Sequence, residues 1–104
     1  MVNGRQIAAA RVWLGISQSE LGLDAEVATR TIAHLEKGER ILHDRTLAAL
    51  QTSLEGMGVE FLQDETDPQI GVGIRIREAR ISEKIHEARD KKDKRARTPR
   101  QREV

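Results

Sequence analysis

The side chains of this chain that are suited to chemistry are hydrogen-bond donors rather than nucleophiles. Arg30 lies among Ala28, Thr29, Ala33, His34 and Lys37, and the apolar Ile32 and Leu35 recur between them at helical spacing. With Ile32 and Leu35 turned inward, the other six residues form the outward face of a helix. A guanidinium such as that of Arg30 can bond two acceptors on one guanine edge, a contact worth ~1–3 kcal/mol of discrimination. Thr29 can bond a base or a phosphate, and Ala33 can touch a thymine methyl group. His34 and Lys37 extend the same face.

Other chemistries find no support. There is no cysteine, which removes disulfides, thiolate metal sites and cysteine catalysis together. His34, His43 and His86 are far apart, and no carboxylate–histidine spacing resembles a metal site. Ser17 and Ser19 belong to a helix start without a histidine–acid arrangement, and Gly71-x-Gly73 precedes a strand rather than opening a helix. The expectation is a non-enzymatic protein without catalytic residues, metal or cofactor.

The elements that position the outward face are two short helices joined by a tight turn, Ser17 to Gly38. Ser17 and Glu20 form a Ser-x-x-Glu capping box at the start of the first. Leu21 and Ala25 share one helical face, and a second face runs from Val27 through Ile32 and Leu35. Asp24-Ala25-Glu26 leaves room only for a sharp reversal between them. Such a pair is a helix-turn-helix, whose second helix can enter the major groove of DNA. Gln18, at the start of the first helix, is placed to bond a backbone phosphate, aided by free N–H groups and the positive helix end. Lys37, Arg40 and Arg45 are candidate phosphate clamps from the segment that follows.

Gln18 through Lys37 resembles the twenty-residue helix-turn-helix of the phage-repressor and Cro-like (XRE-type) transcriptional regulators. Leu21, Ala25, Val27, Ile32 and Leu35 fill its apolar positions, and Leu35-Glu36-Lys37-Gly38 matches its Leu-Glu-x-Gly ending. The resemblance extends over roughly residues 4 to 62, through Leu14-Gly15-Ile16-Ser17-Gln18 on one flank and Thr46-Leu47-Ala48-Ala49-Leu50 on the other. It implies a phosphate contact for Gln18 and a structural pair between Arg11 and Glu36; the other reading of Arg11 is a free surface arginine. Two residues depart from the pattern. The family usually has Ala at Gly22, a change that removes little bulk. It has Gly in the turn at Glu26, where a positive φ costs a residue with a Cβ about 1 kcal/mol.

Around this motif the 104 residues read as one mainly α domain with a tail. Aromatic residues are only 2% (Trp13 and Phe61), so the core must be aliphatic, which suits a bundle of four to five short helices. Asn3 caps the first helix, Gly4 to about Leu14, which ends at Gly15; Ile16 lies where a staple contact is expected, and Trp13 reads as a core or rim residue. Asp44 opens a fourth helix carrying Leu47, Leu50, Leu54 and Met57, stopped by Gly56 and Gly58. Residues 1–62 thus make a repressor-like domain with a first strand around Val59 and Phe61. Residues 63–77 make a loop and a second strand of Val72, Ile74 and Ile76. A lone hairpin is marginal in water, so it must lie on the helices or pair across a homodimer.

Residues 78–104 form a charged tail with a thin stripe of Ile81, Ile85 and Ala88, expected as a short helix to about Asp90 and disorder from Lys91 onward, past Pro99. Residues 1–77 hold 8 basic and 11 acidic side chains, net −3, and residues 78–104 hold 10 and 6, net +4. DNA affinity must then come from local placement of charge, with the basic run Lys91 to Arg102 either contacting phosphates or merely solvated. The opening Met-Val-Asn-Gly-Arg has no apolar signal-like region and no apolar run approaches about 18 residues, so a soluble cytoplasmic protein without a membrane partner is expected. The reading is a homodimeric regulator, a repressor or autorepressor, on an inverted repeat of double-stranded DNA. The alternative is an antitoxin or interaction scaffold whose C-terminal segment binds a protein partner.

Overall fold

Each of the first two helices is started by a reciprocal capping box. In the computed structural model, which describes residues 2–38 and 44–102 (93–102 as backbone only), the Asn3 side chain accepts from the Gln6 amide and the Gln6 side chain from that of Asn3, both at 3.0 Å. This opens α1, Gly4–Leu14, which Gly15 closes in the left-handed conformation at φ 71. Ser17 and Glu20 repeat the device at α2, Gln18–Ala25, and the buried Ile16 sits just ahead of the cap. α3 is Thr29–Glu36 and α4 is Asp44–Gly56. The segment 39–43, with Arg40 and His43, lies outside the described residues.

The core is aliphatic, as the composition requires. Ile7 and Ala10 of α1, Leu21 of α2, Ile32 and Leu35 of α3, and Leu50 and Leu54 of α4 converge with Met57 and Val59. Trp13 takes no part: it is 66% exposed on the outward face of α1 beside Val12, so the expectation of a core or rim role is corrected.

The two strands pair within the chain. β1, Val59–Gln63, and β2, Gly71–Ile76, form an antiparallel hairpin in which Val59 faces Ile76 and Phe61 faces Ile74, with a bulge at Leu62/Gln63. Those four apolar residues pack toward the helices, while on the far side Glu60 pairs with Arg75 and Arg77. Of the two ways to stabilise a hairpin, the molecule uses the helices. Gln6, 3% exposed, donates from Nε2 to the carbonyls of Leu62 (2.9 Å) and Gly73 (2.8 Å), and Asn3 Nδ2 donates to Gly71 O. Two residues that cap α1 therefore also fasten the hairpin.

α5, Glu83–Arg102, is longer than the apolar stripe suggested. Ile85 is fully buried and Ile81 packs against the core. Where a helix only to about Asp90 is expected, the backbone is helical to Arg102, through Pro99. The apolar stripe is a poor guide to helix length here, because Lys, Arg, Ala and Gln are strong helix formers whether or not they are buried. No helix among the described residues is long and apolar enough to cross a membrane.

Candidate nucleic-acid interface

The outward face of α3 is set by its inward one. Ile32 and Leu35 are 0% and 7% exposed, which leaves Ala28, Thr29, Arg30, His34 and Lys37 exposed and Ala33 half-buried. Ala28 is the N-cap and provides no side-chain hydrogen bond, so the first amides of α3 have no side-chain acceptor from the cap. Arg30 has no ion-pair partner among the described residues.

The angle of α3 is fixed by a turn in which both departures from the family pattern take part. Glu26 is the C-cap of α2 at φ 59, ψ 45, in the left-handed region expected of this position. That conformation folds the chain back so tightly that the amides of Glu26 and Val27 both donate to Gly22 O, the second at 3.0 Å. It also lays the Val27 carbonyl on α2: a Cβ at Gly22 would stand 2.5 Å from Val27 O. Gly22 is thus required by backbone approach, a correction to the expectation that it merely removes bulk.

The far end of α3 is held by Glu36, the helix's one carboxylate. Arg11 grips it with two bonds, Nε to Oε2 at 2.7 Å and Nη2 to Oε1 at 2.9 Å, and its Nη1 donates to Ile16 O at 2.9 Å. Gln18 Nε2 adds a third bond to Glu36 Oε1 at 3.0 Å. The pair implied by the resemblance is therefore formed, and three helices meet in it. Burial pushes the Glu36 carboxyl up, but the bonds from Arg11 and Gln18 outweigh it and hold the group below its usual range. The Arg11 guanidinium is raised by the same bond to Glu36. Gln18 has two amide hydrogens, so one remains for an acceptor outside the protein.

A second carboxylate near the start of α2 is neutralised in the same way. Arg89 of α5 donates to Glu20 through Nε (2.6 Å) and Nη2 (3.0 Å), and through Nη2 to Gly15 O (2.9 Å). Mainly through that hydrogen bond, the Glu20 carboxyl is lowered to about 2. The acids closest to the start of α2 are thus bound to arginines, and the face from Ala28 to Lys37 carries cations and neutral donors. Glu20 and Glu36 are thus paired within the chain, although residues 1–77 carry net −3.

Not every expected residue joins this face. Arg45 lines a shallow groove of about 630 Å³ with Asp24, Ala25 and Ser53, at the end of α2 opposite Gln18. Ser53 Oγ donates to Asp24 in that groove. Arg40 lies outside the described residues. Sequence reading missed Gln6, Arg89 and the inward bond of Gln18. Gln6 was discoverable as the third helical residue after Asn3, where an Asn-x-x-Gln box places it. Arg89 had no local signal, being one cation in a charged run. Among the described residues, no three His, Asp or Glu side chains converge as metal ligands would.

Comparison with known families matches residues 7–55 to the helix-turn-helix family. No curated protein matches the chain. The matched stretch runs from Ile7 in α1 to Glu55 in α4 and contains every residue of the turn and of α3.

Proposed function

Because residues 7–55 form a helix-turn-helix domain of the phage-repressor and Cro-like (XRE-type) family, a domain of DNA-binding transcription regulators, we propose that this chain is a repressor that binds an inverted-repeat operator as a homodimer. α3 enters the major groove and Arg30 reads a guanine edge, with Thr29 and Ala33 on neighbouring bases. Ala28 brings the open amides of the α3 start close to the backbone, and His34 and Lys37 flank the groove. Gln18, braced by Glu36, meets a phosphate with its second amide hydrogen. The two half-sites lie about one helical turn apart, ~34 Å. Repression follows from occupying a promoter, its own among the candidates.

The observation that carries this reading is the exposed guanidinium of Arg30, without an ion-pair partner among the described residues, on a face whose own carboxylate, Glu36, is turned away and bound. The dimer is inferred from the way helix-turn-helix domains read paired half-sites, and not from the hairpin, which α1 already stabilises. The test is a salt titration of binding to a duplex from upstream of the gene, with a scrambled duplex alongside. Preference for the upstream duplex that survives at ~150 mM salt is expected. Arg30→Ala should abolish that preference while the thermal unfolding curve stays in place. Unchanged preference in this variant would rule the reading out.

A further inference from the structure

α5 spans 20 residues, and its described side chains, which meet the core and α2, lie in its first half. Its contacts with α2 fix its direction: Lys84 Nζ lies 3.8 Å from Glu26, past the C-terminus of α2, and Arg89 binds Glu20 in the first turn and Gly15 ahead of it. α5 therefore runs antiparallel to α2 and passes the start of that helix as it leaves the bundle. Lys92 borders a hollow there with Ser17, Ser19 and Leu23. Beyond it the backbone remains helical to Arg102, so about 20 Å of helix follows Arg89. Over residues 91–102 the sequence places Lys91, Lys92, Lys94, Arg95, Arg97, Arg100 and Arg102 against one acid, Asp93. Like charges four apart, such as Lys91 and Arg95, oppose a helix in isolation, and a polyanion relieves them.

We propose that this half of α5 lies along the DNA backbone next to the phosphates that face the start of α2. It lengthens the footprint of each half-site with contacts that are indifferent to sequence. The inference rests on the reading of α2 and α3 above. Two observations join in it: an anchored helix aimed past the phosphate-facing end of α2, and a charge reversal from net −3 over residues 1–77 to seven cations and one acid over 91–102. The ligand is duplex phosphate; an acidic protein is the competing occupant.

The test compares the full chain with its Lys92→Gln, Lys94→Gln, Arg95→Gln, Arg97→Gln variant, which keeps Ile85 and Arg89 and substitutes a good helix former. Both are titrated with salt on the operator duplex, once with long flanks and once trimmed to the half-sites. The slope of log K against log salt should fall by about 7 on the flanked duplex, four phosphates lost per protomer at ~0.9 each, and the two proteins should converge on the trimmed one. Hydroxyl-radical protection outside the half-sites should vanish in the variant, while preference for operator over scrambled duplex persists. Preference retained with an unchanged slope overturns this inference and leaves the reading of α3 standing. So does a slope change of equal size on the trimmed duplex, or an unchanged slope with loss of binding to an acidic protein. Absence of operator preference in the wild-type chain sinks the reading of α3 itself.

Discussion

Arg11 and Arg30 serve the same helix, α3, in opposite ways. Arg11 reaches α3 from outside, spends three donors on Glu36 and Ile16, and retains 18% exposure of its side chain. Arg30 is part of α3, exposed, and has no ion-pair partner among the described residues. One arginine binds the helix's acid so that the other is left to present its fork outward. An eight-residue helix is too short to be stable alone. It is held by burial of Ile32 and Leu35 and by the Arg11–Glu36–Gln18 cluster, and Arg30 has no part in either.

This division predicts that the two arginines break different things, and the largest effect belongs to Arg11. Arg11→Ala strips two bonds from a carboxylate whose side chain is 8% exposed, and should cost about 3 kcal/mol in urea unfolding. Binding should weaken as well, because a bare Glu36 beside Gln18 repels phosphate. Replacing both partners, Arg11→Met with Glu36→Leu, should recover most of that stability. If the double variant is as unstable as the single one, the cluster matters for its geometry rather than for its unpaired charge.

Gly22→Ala comes next. The added Cβ would meet Val27 O at 2.5 Å, and neither backbone can yield without rotating α3 on α2. A loss of about 1–3 kcal/mol is expected, with weaker operator binding as the angle of α3 shifts. Stability equal to wild type would mean that the turn opens freely, and then Glu26 would not be held at φ 59.

The third effect is acid sensitivity at α5. The Glu20 carboxyl is lowered to about 2 by Arg89, so the folded state gains from its ionised form. That gain is complete above the ordinary carboxylate range and is lost as pH falls from there through about 2. Solvent screens the pair, which keeps the loss to about 1 kcal/mol or less. Proteolysis within α5 should therefore accelerate in acid before the core unfolds, and Glu20→Gln should show the faster cleavage already at neutral pH. An equal rate in both proteins at neutral pH would separate α5 docking from this pair.

What was legible in the sequence follows the range of the interactions. Caps are local, so Asn3, Gly15, Ser17 and Glu20 announced their helices by type and spacing. The stripe of Ile32 and Leu35 announced which face of α3 is exposed. The Arg11–Glu36 pair spans twenty-five residues and was accessible only through resemblance. Arg89 to Glu20 spans sixty-nine and had no such guide, because Arg89 differs in no local respect from its charged neighbours. Gly22 was misjudged for a related reason. Bulk can be counted from a sequence, whereas the approach of Val27 O depends on the backbone angle at Glu26.

The smallest effect has the opposite sign and tests that dependence directly. Glu26 occupies the left-handed region with a Cβ, at a cost of about 1–2 kcal/mol. Its side chain is 83% exposed, and its 3.8 Å contact with Lys84 contributes little. Glu26→Gly should relieve the strain while losing some of that gain to the greater freedom of glycine when unfolded, for a net stabilisation of about 0.5–1 kcal/mol. Because the angle is then adopted without strain, Gly22→Ala made in this background should be no better tolerated. The clash lies with Val27 O, and the turn that presents it would be firmer. If glycine at 26 instead rescues Gly22→Ala, the turn yields at that residue, and the strain at Glu26 is what holds α3 against α2.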